Sequence, residues 1–471
     1  MNRKYLIIAI IAVILIAIVG IFAFTNNTTS SGGVSVNANA LEKHGALNVT
    51  DTSQKASNGL YATNSSDTNA ILVNKTGILE LTNSIVNKTG DTKTSGDDAD
   101  FYGVNSAVLV RNGSQLTIEN VEIITNSKGS NGIFVTNPTS SQGGGGGAVP
   151  GEGGSSPGQG GTPPTLQKTA QKSNATKAVI KNVKITTYKD KSRGLDATFG
   201  GIIEAENVEI NTNGGSSAAV ATDRGEGNIT VKNSILNTGV SQQSGRGSPL
   251  IYSTGNITVE NSKGTAFVSQ IACIEGKNSI TLKNCNFNGF GEGNRKDGNN
   301  YVDLGGIFIY QSMSGDAGVG TSYFHCEGST LSINSSSSYY KTAPMFHVTN
   351  TKANIYLKSS TFNFGSGVLF NISGQNQWGN VGSNGGDVNL TADEMELNGD
   401  IIVDAISSLY FNLKNTNFKG AINSQGNTTV VIESGSTWTL TGDSNITSLQ
   451  NNGKINLNGH KLYVNGVEYK G

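Results

Sequence analysis

The chain repeats one short phrase in which apolar and polar residues alternate. "NITVKNSILNTG", which begins at Asn228, returns as "NITVENSKGT" at Asn256 and as "SITLKNCNFNG" at Ser279. Ile229 and Val231 alternate with polar neighbours, which is the period of a β-strand with one buried face. The phrase therefore predicts a strand that ends at an asparagine and is followed by a second strand.

An asparagine occupies the same place in most copies of the phrase. An apolar residue usually follows three positions later, so the chain faces inward again beyond a turn. Asparagine tolerates the left-handed backbone of a tight turn, and stacked amides can hydrogen-bond from one copy to the next. The predicted asparagine ladder consists of Asn83, Asn120, Asn182, Asn207, Asn233, Asn261, Asn284 and Asn415.

A third apolar phrase precedes each asparagine by about 12 to 16 residues and ends in a turn that contains glycine or asparagine. Three short strands and three turns in about 25 residues form one coil of a parallel β-helix, whose coils stack about 4.8 Å apart. The repeat therefore predicts an all-β solenoid of about a dozen coils. A propeller or a leucine-rich repeat has a different period, and a sandwich would not repeat an in-phase asparagine.

The first 24 residues predict a transmembrane signal anchor. Two basic residues precede 20 mostly aliphatic ones, Tyr5 to Phe24, and such a helix spans the hydrocarbon core of about 30 Å. The distribution of basic residues predicts a cytoplasmic N terminus and an extracellular remainder. A cleaved signal peptide, which would leave a secreted protein, is the alternative; the long apolar run without a clear cleavage site favours the anchor.

The rest of the chain predicts one domain. Residues 25–35 predict a flexible spacer, and residues 36–471 a single β-helix domain in which 36–61 form an N-terminal cap. Residues 138–175 are rich in glycine and proline and predict a disordered loop inserted at one turn. The phrase "FVTN" stands before this insert, whereas the later "HVTN" continues directly into the next strand.

Composition narrows the possible partners and chemistry. Charged residues are 14% of the chain and the net charge is −1 without a basic stripe, so we expect no nucleic-acid partner. Three cysteines are too few and odd in number for a disulfide framework, and we interpret them as small core residues. We find no strong catalytic or metal motif, and we predict no metal site and no cofactor.

Charged turn residues form the main chemical candidate. Arg193 and Asp196 in "SRGLDATFGG" and Asp223 and Arg224 in "ATDRGEG" follow equivalent strands, so stacking brings them to one flank. Paired, solvated turn charges are the simplest interpretation. Polysaccharide lyases use acidic groups beside a basic one, with calcium holding the uronate, so a lyase would use Asp196, Asp223 and Arg224 and could require calcium.

The full set of candidate ligand-binding residues extends along the same flank. Glu275 and Asp316 follow later strands, and aromatic residues that we expect to be exposed could stack on sugars. The candidates are Arg193, Asp196, Asp223, Arg224, Tyr252, Glu275, Tyr310, Asp316 and Trp378.

Several ordered phrases carry a resemblance to a known family. "SRGLDATFGG", "AAVATDRGEG", "SPLIYSTGNITVENS", "IEGKNSITLKN", "IYQSMSGDAG" and "WGNVGSNGG" resemble those of adhesin-like, right-handed parallel β-helix surface proteins of anaerobic bacteria and archaea. The resemblance covers roughly residues 60–459 apart from the insert. It implies a right-handed parallel β-helix at the cell surface, and it supplies no catalytic residues.

We therefore expect a membrane-anchored extracellular rod that adheres to or displays ligands, contacting glycans, host cells or neighbouring cells rather than acting as an enzyme. Because right-handed β-helices include pectin-active enzymes, the first alternative is a pectate-lyase-like lyase or a hydrolase acting on acidic polysaccharide. The second alternative is a structural component of the cell envelope. The sequence does not predict an oligomeric state.

Overall fold

The computed structural model describes residues 34, 36–94, 96–138, 175–240, 247–291, 295–297, 300–302 and 305–470. The described residues belong to one compact unit, Val34–Gly471. The predicted anchor, nearly all of the predicted spacer and residues 139–174 of the predicted insert lie outside the described residues. Within the described part, no helix is long and apolar enough to cross a membrane.

The described part is all-β, with three long parallel sheets that are typical of a parallel β-helix. Its helices, over the ranges given above, are a 3-10 helix at Ala38–Ala40 and an α-helix at Gly96–Tyr102. An antiparallel hairpin, Arg295–Asp297 with Asn300–Val302, stands apart from the three sheets.

Sheet 1 has 16 strands among the described residues, more than the dozen coils predicted. Part of the excess comes from the segment predicted as a cap, which already contributes Leu47–Thr50 to this sheet and has Asn58 at the turn. The last strand folds back antiparallel on the one before it. The strands are Leu47–Thr50, Ile71–Asn74, Val108–Arg111, Ile133–Thr136, Leu195–Thr198, Val220–Thr222, Ile251–Ser253, Ala272–Glu275, Ile307–Tyr310, Phe346–Thr349, Val368–Ile372, Asp400–Val403, Ile422–Ser424, Ser444–Ile446, Leu462–Val464 and Val467–Glu468.

Sheet 2 contains the strands that lead into the turn asparagine. Four of its strands are long and continue through the asparagine into sheet 3, which gives the repeated phrase its two halves. The strands are Ser53–Ser57, Ile78–Thr89, Gln115–Asn126, Lys177–Thr187, Ile202–Thr212, Asn228–Lys232, Asn256–Glu260, Ser279–Lys283, Thr321–Glu327, Thr351–Lys358, Gly386–Asp393, Ser408–Lys414, Asn427–Ile432 and Ser448–Asn451.

Sheet 3 contains the strands that follow the turn. It begins with Glu42–His44 paired to Gly59–Thr63, continues through the second halves of the four long strands, and ends in a separate stack of four strands. The remaining strands are Ile235–Thr238, Lys263–Ala266, Asn286–Gly289, Thr330–Ile333, Thr361–Asn363, Glu396–Asn398, Asn417–Lys419, Thr437–Thr439 and Lys454–Asn456.

Two segments assigned from the sequence have clear places in this arrangement. Residues 36–61, predicted as a cap, already supply strands to all three sheets. Lys177–Thr187, the first strand after the predicted insert, pairs in parallel with Gln115–Asn126 of the coil before it. The stack therefore continues across the insert without a break in sheets 2 and 3.

The core consists of the inward-facing alternate residues, stacked in register from coil to coil. Ile203, Ile229, Ile257, Ile280 and Phe324 form one such column, and each is at most 2% exposed. Burying an aliphatic side chain of this size contributes about 1.5–3 kcal/mol. The alternation seen in the sequence is thus the alternation between core and surface.

The turn asparagines have a left-handed backbone and form a surface ladder. The Asn120 amide donates to Asn83 (2.9 Å), Asn261 to Asn233 (3.3 Å) and Asn284 to Asn261 (3.2 Å). The Asn233 amide donates to a glutamate of the preceding coil instead. Backbone φ lies between 47° and 61° at Asn83, Asn120, Asn182, Asn207, Asn233, Asn261, Asn284 and Asn415.

A second ladder, which the sequence did not predict, runs through the residue after the turn position, whether that position holds asparagine, Gly328 or Ser359. The backbone N–H of Ser234 donates to Ser262 Oγ (3.0 Å), that of Cys285 to Ser329 Oγ (2.9 Å), and that of Ser329 to Ser360 Oγ (3.1 Å). Each of these hydroxyls donates to the carbonyl two residues earlier. A small hydroxyl here satisfies backbone groups that the turn removes from the strand ladder.

We expect Asn261→Ala to lower the free energy of unfolding by about 1 kcal/mol, and Asn261→Gly to lower it less. Both variants lose the amide, but only alanine is strained at the φ of 50°. Urea denaturation of both variants measures the difference, and equal stabilities would show that the backbone conformation contributes nothing.

Candidate binding face on sheet 1

The outer face of sheet 1 is covered along its middle. Three segments that interrupt the regular coils lie over it: residues 96–104, 311–319 and 373–385, which we call the roof. Outward side chains stack in register beneath it, and most are buried. The central row is Phe134, Asp196, Ala221, Tyr252, Cys273, Phe308 and His347.

Arg193 is the centre of a buried charge cluster under the first roof segment. Its guanidinium lies 2.8 Å from an Asp223 oxygen, 3.4 Å from Asp100 and 3.5 Å from Asp196. Burial alone would lower the pKa of Arg193, but Asp223, Asp196 and Asp100 together raise it. The arginine therefore stays charged and holds the roof helix against two coils.

Asp196 and Asp223 differ in how their charges are compensated. Asp196 is fully buried, and neither of its carboxylate oxygens has a hydrogen-bond partner. Burial raises the pKa of Asp196 well above its ordinary value, although Arg193 opposes the shift. Burial likewise raises the pKa of Asp223 to about 6. The two carboxyls surround one arginine, so they titrate together.

We expect the stability of the protein to fall as the pH rises from about 4 to about 6. The folded state holds the Asp223 proton more tightly than the unfolded chain, so the stability contributed by the protonated form is lost through the folded-state pKa of about 6. Asp223→Asn should flatten this fall, whereas Asp387→Asn, on the exposed surface, should not. Urea midpoints at several pH values test this; equal slopes in all three proteins would contradict it.

Arg224 joins two roof segments to each other. Its guanidinium donates twice to Asp316 Oδ1, at 2.7 and 3.2 Å, and lies 3.8 Å above the centre of the Phe101 ring. Asp316 belongs to the second roof segment and Phe101 to the first. The residue therefore acts as a clamp between them, through an ion pair and a cation–π contact.

Glu275 holds the second segment from below. This carboxylate is buried and accepts hydrogen bonds from Tyr252 Oη (2.6 Å), Tyr310 Oη (3.0 Å) and Ser312 Oγ. Burial, with Tyr310 and Glu275 nearby, raises the pKa of Tyr252 well above its ordinary value. With a longer contact from Ser314 Oγ (3.5 Å), four hydroxyl donors compensate one buried carboxylate, which leaves it little capacity to act as a free base.

An aromatic cluster lies under the third segment. Ring centres of Phe308 and Tyr310 are 4.3 Å apart, and those of Tyr310 and Trp378 are 4.9 Å apart. Gln375 contacts the His347 ring at 3.0 Å. We expected Tyr310 to be exposed, but it is only 7% exposed because the third segment covers it. Of the aromatic candidates, Tyr252 and Trp378 remain partly exposed.

The structure brings all nine candidate residues to this one face, in two connected groups around Arg193 and Glu275. Sequence reasoning missed their partners Asp100, Phe101, Ser312, Phe308 and Gln375. The wider spacing of the repeated phrases around the insertions was a signal that extra segments were present, but it did not say where they fold.

The acidic groups do not fit a calcium site. The carboxylates of Asp100, Asp196 and Asp223 surround the Arg193 guanidinium, whereas calcium requires several oxygens converging on one position. Across the described ranges, no group of three or more His, Cys, Asp or Glu side chains could hold a metal ion.

The top of the roof exposes large apolar side chains. Met313 and Val319 in the second segment are 61% and 72% exposed, and Val381 in the third is 70% exposed. The roof is thus fixed by buried polar contacts below, and its outer surface carries exposed apolar side chains among polar ones.

Comparison with known protein families and with curated proteins found no match to this chain. Its class therefore rests on the fold itself, in which long parallel sheets stack as is typical of a parallel β-helix and inserted segments cover one face.

Proposed function

We propose that this protein is an extracellular, adhesin-like, right-handed parallel β-helix that binds glycans of a neighbouring cell or polymer through the roof. One observation carries the proposal: buried pairs fix the roof on a rigid scaffold while its top stays exposed. Loops positioned in this way are where binding residues are concentrated in β-folds. Right-handedness follows from the strong preference of parallel crossover connections.

The state of the acidic groups favours binding over catalysis. A lyase needs an accessible base beside a held uronate, but Asp196 and Asp223 face Arg193 and are buried. Arg224 is engaged with Asp316. Each group that the lyase alternative requires already has a structural use, so we assign these residues to positioning the roof.

The same proposal includes attachment to a membrane. Residues 1–24 would form an uncleaved anchor with a cytoplasmic N terminus, and the β-helix would project outward. The apolar run of this segment supports the arrangement. The partners would then be the membrane on one side and a polysaccharide or cell surface on the other.

A glycan array and a polysaccharide-degradation screen on residues 34–471 test the function. We expect glycan binding without degradation, and at least tenfold weaker binding in Met313→Asp or Val381→Asp, because a charge opposes burial of the roof surface. Val467→Asp is the matched control, since Val467 is 71% exposed but lies outside the roof.

Other outcomes of this experiment contradict the proposal in different ways. Shortened or unsaturated oligosaccharides that disappear with Asp223→Ala or Arg224→Ala would establish the enzyme alternative. Neither binding nor degradation would favour a structural role in the envelope.

A further inference from the structure

Sheet 3 is interrupted at one place in its length. Thr361–Asn363 pairs with the strand before it, and Glu396–Asn398 pairs with the strand after it, but no ladder joins these two strands to each other. Their edge groups there have no partner strand. Sheet 1 has a β-bulge between Val368 and Phe370 at the same boundary between coils. Bulges of this kind often lie beside functional sites.

A groove of about 270 Å³ opens at this interruption. Tyr340, Phe362 and Phe364 supply aromatic rings, and the exposed amides of Asn363 and Asn398 stand on the two strands that fail to pair. Phe362 continues the inward column of sheet 3, where it pairs in register with Leu331. Unlike its buried neighbour it is partly exposed, because the missing ladder leaves that side of the core open.

Glycine keeps the groove open. Gly399 has a φ of 117°, which side chains other than hydrogen rarely allow, and a Cβ there would approach Phe364 Cζ to 2.9 Å. Gly367, whose carbonyl oxygen would be 3.0 Å from the same Cβ, has a φ of 77° and open space where its own Cβ would stand.

We infer that this groove is a binding subsite for one neutral sugar unit of a polysaccharide. The apolar face of a pyranose ring can pack on aromatic side chains, while its hydroxyls bond amides and unpaired strand edges. None of the lining residues carries a charge, so an uncharged ligand matches the site better than a uronate. The volume suits a single ring rather than a large ligand.

Two other occupants fit less well. A peptide strand completing the sheet would need the flanking strands about 9.6 Å apart, whereas Cα atoms of these strands approach within 8 Å. An apolar peptide side chain would fill the aromatic floor but would make no hydrogen bonds with the Asn398 amide or with the strand edges that lack a partner strand. A sugar satisfies both parts of the groove.

This inference rests on the proposed glycan-binding function and adds a second contact region, in sheet 3, outside the roof. It names the chemical class of the ligand, which the roof alone does not. Lys341 lies 5.3 Å from the centre of the Tyr340 ring, outside the lining, so acidic sugars must be compared directly with neutral ones.

The test is calorimetric titration of the full chain with neutral glucan, mannan, galactan and N-acetylhexosamine oligosaccharides, their monosaccharides, and uronate oligosaccharides. We expect at least one neutral oligosaccharide to bind. Phe364→Ala should weaken its binding at least about tenfold, through lost ring packing. Asn398→Ala, at an exposed position that should not disturb folding, should weaken it several-fold. Tyr410→Ala, an exposed aromatic on sheet 2, is the control and should change binding less than twofold.

The outcomes separate the subsite from the function. Glycan binding by the unmodified chain that survives Phe364→Ala and Asn398→Ala would overturn the subsite and leave the proposed function standing. Tighter binding of uronates, or displacement of the neutral sugar by an apolar peptide, would also overturn it. If no neutral sugar binds at all, the subsite is rejected. If a monosaccharide binds as tightly as its oligosaccharide, the ligand of the groove is a free sugar rather than a unit of a polysaccharide, and that part of the inference is overturned.

Discussion

Arg193→Met is expected to lower the free energy of unfolding by about 3–5 kcal/mol near pH 8, because it leaves buried carboxylates without their cation. The guanidinium contacts Asp100, Asp196 and Asp223, and its side chain is largely buried. At pH 4–5 the loss should be smaller, since the same carboxyls can then bind protons. Urea denaturation at both pH values gives the two numbers.

Two related variants separate charge from geometry. Arg193→Lys keeps the charge but loses the planar fork that reaches several carboxylates, so an intermediate loss is expected. Arg224→Ala removes a partly exposed pair with Asp316 and should cost only about 1 kcal/mol or less. If Arg193→Met were no worse than Arg224→Ala at pH 8, the cluster would not hold the roof in place.

The sequence predicted the fold well because the fold is periodic. In a strand with one buried face, apolar and polar residues alternate with period two. Because stacked copies of such a strand must repeat in phase, Ile229, Ile257 and Ile280 predict one column of the core. The serine ladder was missed although serine follows several of the asparagines, because a serine beside a turn also suits a solvated surface. Only the burial of Ser262 and the backbone N–H that it accepts distinguish the two.

The sequence could predict where the candidate residues lie, but not that other segments of the chain cover them. Strand equivalence placed Asp196 and Asp223 on one flank, and the structure brings them together around Arg193. What covers them could not be predicted, because the roof is aperiodic and pairs residues far apart in the chain, as Arg224 does with Asp316 at a separation of 92 residues. The residue types alone do not distinguish an exposed charged side chain from a buried ion pair.

The groove in sheet 3 had no sequence signature at all. It depends on the absence of pairing between Thr361–Asn363 and Glu396–Asn398, and each strand separately resembles its paired neighbours. Gly367 and Gly399 are visible in the sequence, but glycine is common at turns throughout this chain. A defect in a repeat becomes evident only when the register of both sides is known.

The chain has two tryptophans, and removing each should affect a different property. Trp438→Ala should lower the stability, whereas Trp378→Ala should weaken glycan binding. Trp438 is fully buried in the sheet 3 column, stacks near Phe418 and donates its indole N–H to the Gly420 carbonyl (2.9 Å). Its removal creates a cavity and should cost about 3–5 kcal/mol. Trp378 is partly exposed in the roof, so its removal should affect glycan binding more than unfolding.

Each variant keeps a single tryptophan, so fluorescence reports one region at a time. In Trp378→Ala, the remaining emission comes from the core and should stay that of a buried indole until the last coils unfold. In Trp438→Ala, hydrogen exchange should accelerate first in the coils after about residue 408, because a solenoid loses stability locally through its nearest-neighbour interfaces. Uniform acceleration along the chain would instead mean that the stack unfolds as one cooperative unit. Protection unchanged from the unmodified protein would mean that the Trp438 side chain does not support these coils.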